Sequence, residues 1–99
     1  MTGYVDDAGI PATVRNGRAT HRSRWYHLTA DTEDELHAFA ARLGLKRSYF
    51  QPDDDGPFWH YDVTEGKKQQ AVRLGAVEVT AEDSVEAAVE RFEQRQATS

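Results

Sequence analysis

The chain has 99 residues, 38% of them hydrophobic and 29% charged, with a formal net charge of −5. A chain of this length makes one small domain with a lean core, and its acidic balance argues against bulk nucleic-acid binding, which needs a basic face. It has no cysteine, which excludes disulfides and thiolate zinc sites, and it shows neither a signal-peptide pattern nor an apolar run of membrane-spanning length. These features read as a soluble cytoplasmic protein.

Residues 3 to 6 are β-prone and predict a first strand that ends in the acids Asp6 and Asp7. Residues 8 to 23 lack apolar periodicity, carry the turn formers Gly9, Pro11, Asn16 and Gly17, and read as a basic loop. Arg15, Arg18, His21 and Arg22, with Arg24 just beyond, concentrate positive charge there. The loop is either solvated or a flap whose guanidinium groups contact phosphate. Trp25 to Thr29 is the second strand. Thr32-Glu33-Asp34-Glu35 forms a capping box, followed by the apolar stripe Leu36, Phe39, Ala40 and Leu43, with Gly44 at the left-handed C-cap position.

Extended structure resumes from Leu45 to Gln51. The acid run Asp53-Asp54-Asp55-Gly56 lacks the ligand spacing and distal Glu of a calcium loop and reads as a turn. Phe58 to Val63 is the next strand, and Thr64 caps a second helix running to about Arg73, with Gly75 ending it. Ala76 to Val79 is a short strand. Thr80 and Asp83 open a third helix whose stripe is Val85, Ala88, Val89 and Phe92. It fades near Gln96, and residues 96–99 read as a frayed tail.

Two units echo one another: His27 and His60 each begin a strand, acid, Thr-capped helix, Leu-Gly, strand series. The expected architecture for residues 1–99 is therefore a single small α/β domain. It has a sheet of about four to five short strands, three helices and β-α-β units. With parallel strands, Asp6, Asp7, Asp31 and Asp62 would gather at the strand carboxyl ends, where open α/β sheets bind ligands. The expected core is Leu36, Phe39, Leu43, Val63, Val72, Leu74, Val79, Val85 and Val89.

Several stretches carry a resemblance: Tyr4-Val5-Asp6-Asp7, His27-Leu28-Thr29-Ala30-Asp31, Glu35-Leu36-His37-Ala38-Phe39, Leu43-Gly44-Leu45, Phe50-Gln51, His60-Tyr61-Asp62 and Leu74-Gly75-Ala76. Together they resemble a bacterial and phage family known as domain of unknown function 4031. The resemblance covers residues 4 to about 80. It implies a small stand-alone domain, found also as a module beside other domains, and brings no activity, substrate or catalytic residue.

Alternation along a strand puts His60 and Asp62 on one face and Trp59 and Tyr61 on the other. An imidazole and a carboxylate two residues apart can hydrogen-bond or share one metal ion. If the strands of His27 and His60 are neighbours and Asp6 approaches from the first, Asp6, His27, His60 and Asp62 form a metal-candidate set. Otherwise both histidines are half-buried and bonded to backbone or to Asp62. His37 lies outside the apolar stripe and reads as a rim residue. Asp7 is a candidate turn cap before Pro11. Thr64, Lys67 and Lys68 at the start of the second helix form a candidate anion cradle. No Gly-rich nucleotide loop is present.

Three readings follow. The first is binding of a small anionic or nucleotide-like ligand by His27, His60, Asp62, Thr64, Lys67 and Lys68, with Trp59 stacking a flat ring. The second is a metal-dependent hydrolase of phosphoester or nucleic-acid bonds, and the third a non-catalytic module that docks a protein partner. No cofactor is assigned. A divalent metal is the one these residues would accommodate.

Overall fold

A computed structural model describes residues 3–16, 19–53 and 56–98, with side chains described for all of these but 12–16, 19–23 and 95–98. Its elements in order are β1 (Gly3–Val5), β2 (Ile10–Asn16), β3 (Ala19–Ala30), α1 (Glu33–Arg42), a 3-10 turn (Arg47–Tyr49), β4 (Phe50–Gln51), β5 (His60–Thr64), α2 (Glu65–Arg73), β6 (Val77–Glu78) and α3 (Ala81–Thr98). The six strands form one mixed sheet in the order β4-β5-β3-β1-β6, with β2 also pairing β3. This is a mixed α/β fold with three helices.

The twelve-residue strand β3 is the frame. Its first half pairs with β2, from Asn16↔Ala19 to Ile10↔Trp25. Residues 8–23, expected as a loop, therefore contain a β-hairpin. Ile10, Ala12 and Val14 alternate along β2 and the Asn16-Gly17 pair follows them in sequence, the usual hairpin signals, while the partner half from Ala19 to Arg24 is mostly polar. The side chains of Arg15, Arg18, His21 and Arg22 lie outside the described residues, and Arg24 Nη1 donates to the Gly9 carbonyl at 3.5 Å. The second half of β3 pairs antiparallel with β1 (Gly3↔Ala30 to Val5↔Leu28) and with β5 (Trp25↔Thr64 to Leu28↔Tyr61).

Because β3 runs against both β1 and β5, the expected single edge of acids does not form. Asp31 lies at the opposite end from Asp6, where the Tyr4 hydroxyl donates to it at 3.3 Å, and Asp62 sits mid-strand opposite His27. The β-α-β units are present in split form. β3 and β4 share a direction with β5 between them, and β5 and β6 share one with β3 and β1 between.

The helix starts follow their caps. Thr32 Oγ1 accepts from Glu35 N–H at 3.1 Å, Thr64 Oγ1 from Lys67 N–H at 3.3 Å, and Thr80 Oγ1 from Asp83 N–H at 3.0 Å. The chain leaves α1 through Gly44 at φ 76, and Leu45 N–H returns to the Ala40 carbonyl at 3.0 Å. Helix α3 continues through Thr98, past its expected end near Gln96.

One sheet face carries Val5, Tyr26, Leu28, Ala30, Tyr61 and Val63 and packs against Leu36, Phe39, Ala40 and Leu43 of the α1 region and Ala71 of α2. Fully burying a Leu, Val or Phe contributes about 1.5–3 kcal/mol, so this face carries most of the stability. Val72, Leu74, Val85 and Val89, expected in the core, are exposed. Helix α2 buries only Ala71. Helix α3 turns the row Ser84, Ala88 and Arg91 inward, a stripe of small residues plus an arginine beside Trp59. The valines therefore fall on the neighbouring, solvent-facing row.

Candidate metal centre

The other sheet face carries Asp6 and Tyr4 from β1 and its end, Thr29 and His27 from β3, and His60 and Asp62 from β5. Register brings the site together: His27 stands directly opposite Asp62, and Asp6 N–H bonds the His27 carbonyl at 3.1 Å. Antiparallel pairing across β3 thus gathers residues from sequence positions far apart.

The two rings are held by their Nδ1 atoms. His27 Nδ1 lies 2.6 Å from Asp6 Oδ2, while His27 backbone N–H donates to Asp6 Oδ1 at 2.8 Å. Asp6 is 1% exposed and also accepts from Ala8 N–H at 3.3 Å, so this buried carboxylate is fully bonded. His60 Nδ1 lies 2.8 Å from the Phe58 carbonyl oxygen. A carbonyl only accepts, so His60 carries its proton on Nδ1, and the Asp6 carboxylate selects the same tautomer at neutral His27. Both Nε2 lone pairs are then free. They face one carboxylate: His60 Nε2 is 3.3 Å and His27 Nε2 3.9 Å from Asp62 Oδ1. One ligand atom from each of His27, His60 and Asp62 lies within 4.8 Å of the others. Two donors on a tetrahedral ion at 2.0–2.1 Å are about 3.3–3.5 Å apart, close to the shorter of these spacings.

The ionisable groups of the cluster shift one another. His27 is raised above its ordinary 6.5, chiefly by the hydrogen bond to Asp6, against the opposing effect of burial. Burial pushes Asp6 up, but the hydrogen bonds from the His27 ring and backbone outweigh it and hold the carboxyl below 3.8. Asp62 is held below 3.8 by its bond to the His60 ring. His60 Nε2 can therefore serve either as a donor to Asp62 or, with its lone pair free, as a ligand atom beside it, at the same 3.3 Å. Phe58 closes the back of the site, edge-on to both rings at 5.5 Å from His27 and 5.3 Å from His60.

The remaining candidates lie elsewhere. Lys67 Nζ donates to the Leu43 carbonyl at 2.7 Å, capping the end of α1. Lys68 Nζ sits 4.3 Å from the Tyr26 ring centroid and 3.8 Å from Glu78. Thr64 is occupied as the α2 cap. Trp59 is buried beneath Arg91, whose Cζ is 5.7 Å from its ring centroid. Asp7 accepts from Ala81 N–H at 2.8 Å and so caps α3 rather than a local turn. His37 Nδ1 lies 2.8 Å from the Tyr61 hydroxyl, and the ring packs on Phe50. Burial, with Arg47 nearby, lowers its pKa. Asp6, a metal candidate from the sequence, is bonded to the His27 ring and lies outside the cluster of His27, His60 and Asp62. The adjacent acids Asp6-Asp7 were the only signal, and they do not say which faces the site.

Among the described residues no helix is long and apolar enough to cross a membrane. No curated protein and no solved structure matches the chain. A family model described as "Protein of unknown function (DUF4031)" matches residues 4–91, nearly the whole length, and the chain belongs to that family.

Proposed function

We propose that the chain binds a divalent first-row transition ion through His27 Nε2, His60 Nε2 and Asp62, with Asp6 and the Phe58 carbonyl as orienting partners. Two histidines and one carboxylate leave coordination positions for water and an anionic oxygen donor. The reaction class this constellation serves is metal-assisted hydrolysis of an anionic ester such as a phosphoester. A bound ion would lower the pKa of its water towards neutrality and polarise the ester oxygen. The reading unites the expectations of an anionic ligand and of a hydrolase at one site.

The observation that carries it is the occupation of both Nδ1 atoms, 2.6 Å from Asp6 and 2.8 Å from Phe58 O, which aims both Nε2 atoms at Asp62. Ring orientation by a second set of acceptors is the usual companion of histidine ligands. The anion cradle at Thr64, Lys67 and Lys68 lacks comparable support, because each of those groups is engaged in packing or capping.

Calorimetric titration of EDTA-stripped protein with zinc and manganese tests the centre. One ion per chain is expected, and His60→Ala or Asp62→Ala should weaken binding by at least about a hundredfold, beyond the loss of an orienting group alone. Affinity unchanged in both variants refutes the centre. Metal binding with no hydrolysis of phosphomonoester or phosphodiester substrates refutes the hydrolytic half.

A further inference from the structure

A separate cavity of about 230 Å³ lies between the β1–β3 part of the sheet and α3, lined by Tyr4, Thr29, Asp31, Asp83, Ser84 and Arg91, with Val79 and Ala87 as apolar wall. Tyr4 and Thr29 are cross-strand partners. Each stands two residues from a member of the metal centre, Asp6 and His27, on the same face of the sheet. The cavity has room for about seven to eight water-sized groups at ~30 Å³ each, which suits a ligand of similar heavy-atom count.

Its polar groups are not consumed by the fold. Ser84 is 4% exposed, and its hydroxyl has no hydrogen-bond partner. The buried Arg91 Nε has none either, and among the described residues Arg91 forms no ion pair. Asp83 and Arg91 both line the space and form no ion pair with each other, and among the described residues Asp31 is engaged only by the Tyr4 hydroxyl at 3.3 Å. Buried hydroxyl and guanidinium groups without partners are costly, and natural proteins rarely keep them without a reason. The helix amides nearby are already used: Ala81 N–H by Asp7, Asp83 N–H by Thr80 Oγ1 and Ser84 N–H by the Thr80 carbonyl. The recognition groups are therefore the side chains. A simple anion would meet Asp31 and Asp83, and a simple cation would meet Arg91. A molecule carrying both charges satisfies all of them.

We propose that this cavity binds a small zwitterion of the α-amino-acid type. Its ammonium group sits between Asp31 and Asp83, and its carboxylate receives Arg91 and the Ser84 hydroxyl. The site stands on its own and does not depend on the metal centre. Tyr4 and Thr29 contribute hydroxyl contacts at the floor.

The test is an amide NMR titration of the metal-free protein with glycine, L-alanine, L-serine and L-threonine, with methylammonium and acetate as single-charge probes. Saturable shifts are expected at Thr29, Ser84 and Ala87 with at least one amino acid, and binding of either single-charge probe should be about tenfold or more weaker. Arg91→Gln and Asp83→Asn should each weaken binding roughly ten- to hundredfold, the effect of losing one charge-assisted hydrogen bond. Asp83 is exposed, and among the described residues its carboxylate forms no ion pair, so Asp83→Asn retains the fold even if loss of the Arg91 contact to Trp59 loosens α3. The proposal is overturned if no amino acid gives saturable shifts at millimolar concentration, if acetate or methylammonium binds equally well, or if both variants keep wild-type affinity. A zinc titration of the same sample reads the metal centre separately.

Discussion

Replacing Asp6 by Asn changes one atom and tests the logic of the centre. Asp6 Oδ1 accepts the backbone N–H groups of His27 and Ala8, and Oδ2 faces the His27 ring at 2.6 Å. Asparagine can keep the first set with its carbonyl oxygen, but it then presents an NH₂ group to His27 Nδ1. Two donors cannot face each other, so the ring must move its proton to Nε2, where it blocks the position aimed at Asp62. One buried charge-assisted hydrogen bond becomes a neutral one, a cost of about 1–3 kcal/mol in the metal-free protein. Zinc affinity should fall about 10–100-fold, as for other losses of an orienting partner. Asp6→Ala should cost more, about 2–6 kcal/mol, because both the ring N–H and the His27 backbone N–H lose their acceptor. Urea unfolding with EDTA, zinc calorimetry and long-range ¹H–¹⁵N spectra of the histidines measure the three quantities. If Asp6→Asn retains the Nδ1–H tautomer of His27 and wild-type zinc affinity, the account of the centre is wrong.

Further outcomes follow from the same geometry. His27 is raised above 6.5 and Asp6 held below 3.8, so His27 contributes stability that is complete below pH 6.5 and disappears as pH rises through its folded value. Asp6, like Asp62, contributes stability above pH 3.8 that disappears as pH falls through its folded value. With EDTA, the stability lost on replacing His27 by Gln should therefore be larger near pH 5.5 than near pH 8.5, a comparison in which the opposite contribution of His37 cancels, whereas zinc affinity should rise over the same span as the ligands lose protons. Lys67→Met should cost about 1–2 kcal/mol through the lost bond to the Leu43 carbonyl while leaving zinc binding unchanged; a fall in zinc affinity would place Lys67 at the site after all. Val85→Ser and Val89→Ser should each shift thermal stability by no more than about 0.5 kcal/mol, because both are exposed, whereas Ala88→Asp should lower it by about 3 kcal/mol or more.

Local signals in the sequence were strong where a side chain answers its own neighbours. Thr32, Thr64 and Thr80 each cap the helix that follows them, and Gly44 and Gly75 take positive φ at the ends of α1 and α2. The stripe Leu36, Phe39, Ala40 and Leu43 is buried as its spacing predicts. Alternation on β5 correctly put His60 and Asp62 on one face. What depended on strand direction was not legible, because period-two patterning is the same for parallel and antiparallel neighbours. The β2–β3 hairpin was missed although Ile10, Ala12 and Val14 alternate and Asn16-Gly17 follows them, because the density of turn formers and arginines in residues 8–23 outweighed both signals. The inward face of α3 was missed because two valines outweighed Ser84 and Arg91 in any hydrophobicity count. Lys67 was read as a ligand for an outside anion, and the carbonyl that it serves lies 24 positions earlier.

Strand β1 has only three residues, yet it fills the gap between the middle strand and β6. It is fastened by the two acids that follow it, Asp6 to His27 and Asp7 to Ala81, the latter 74 positions away. If β1 lifted, the flank of β3 along Leu28 to Ala30 would become an open row of amides and carbonyls with apolar side chains, a template for joining to another copy. An ion on His27 favours the ring orientation that Asp6 provides, so ligation and the seating of β1 reinforce one another. Under the proposed metal binding, loss of the ion would loosen β1 and bare that strand flank, a coupling between ion and sheet edge that involves no turnover.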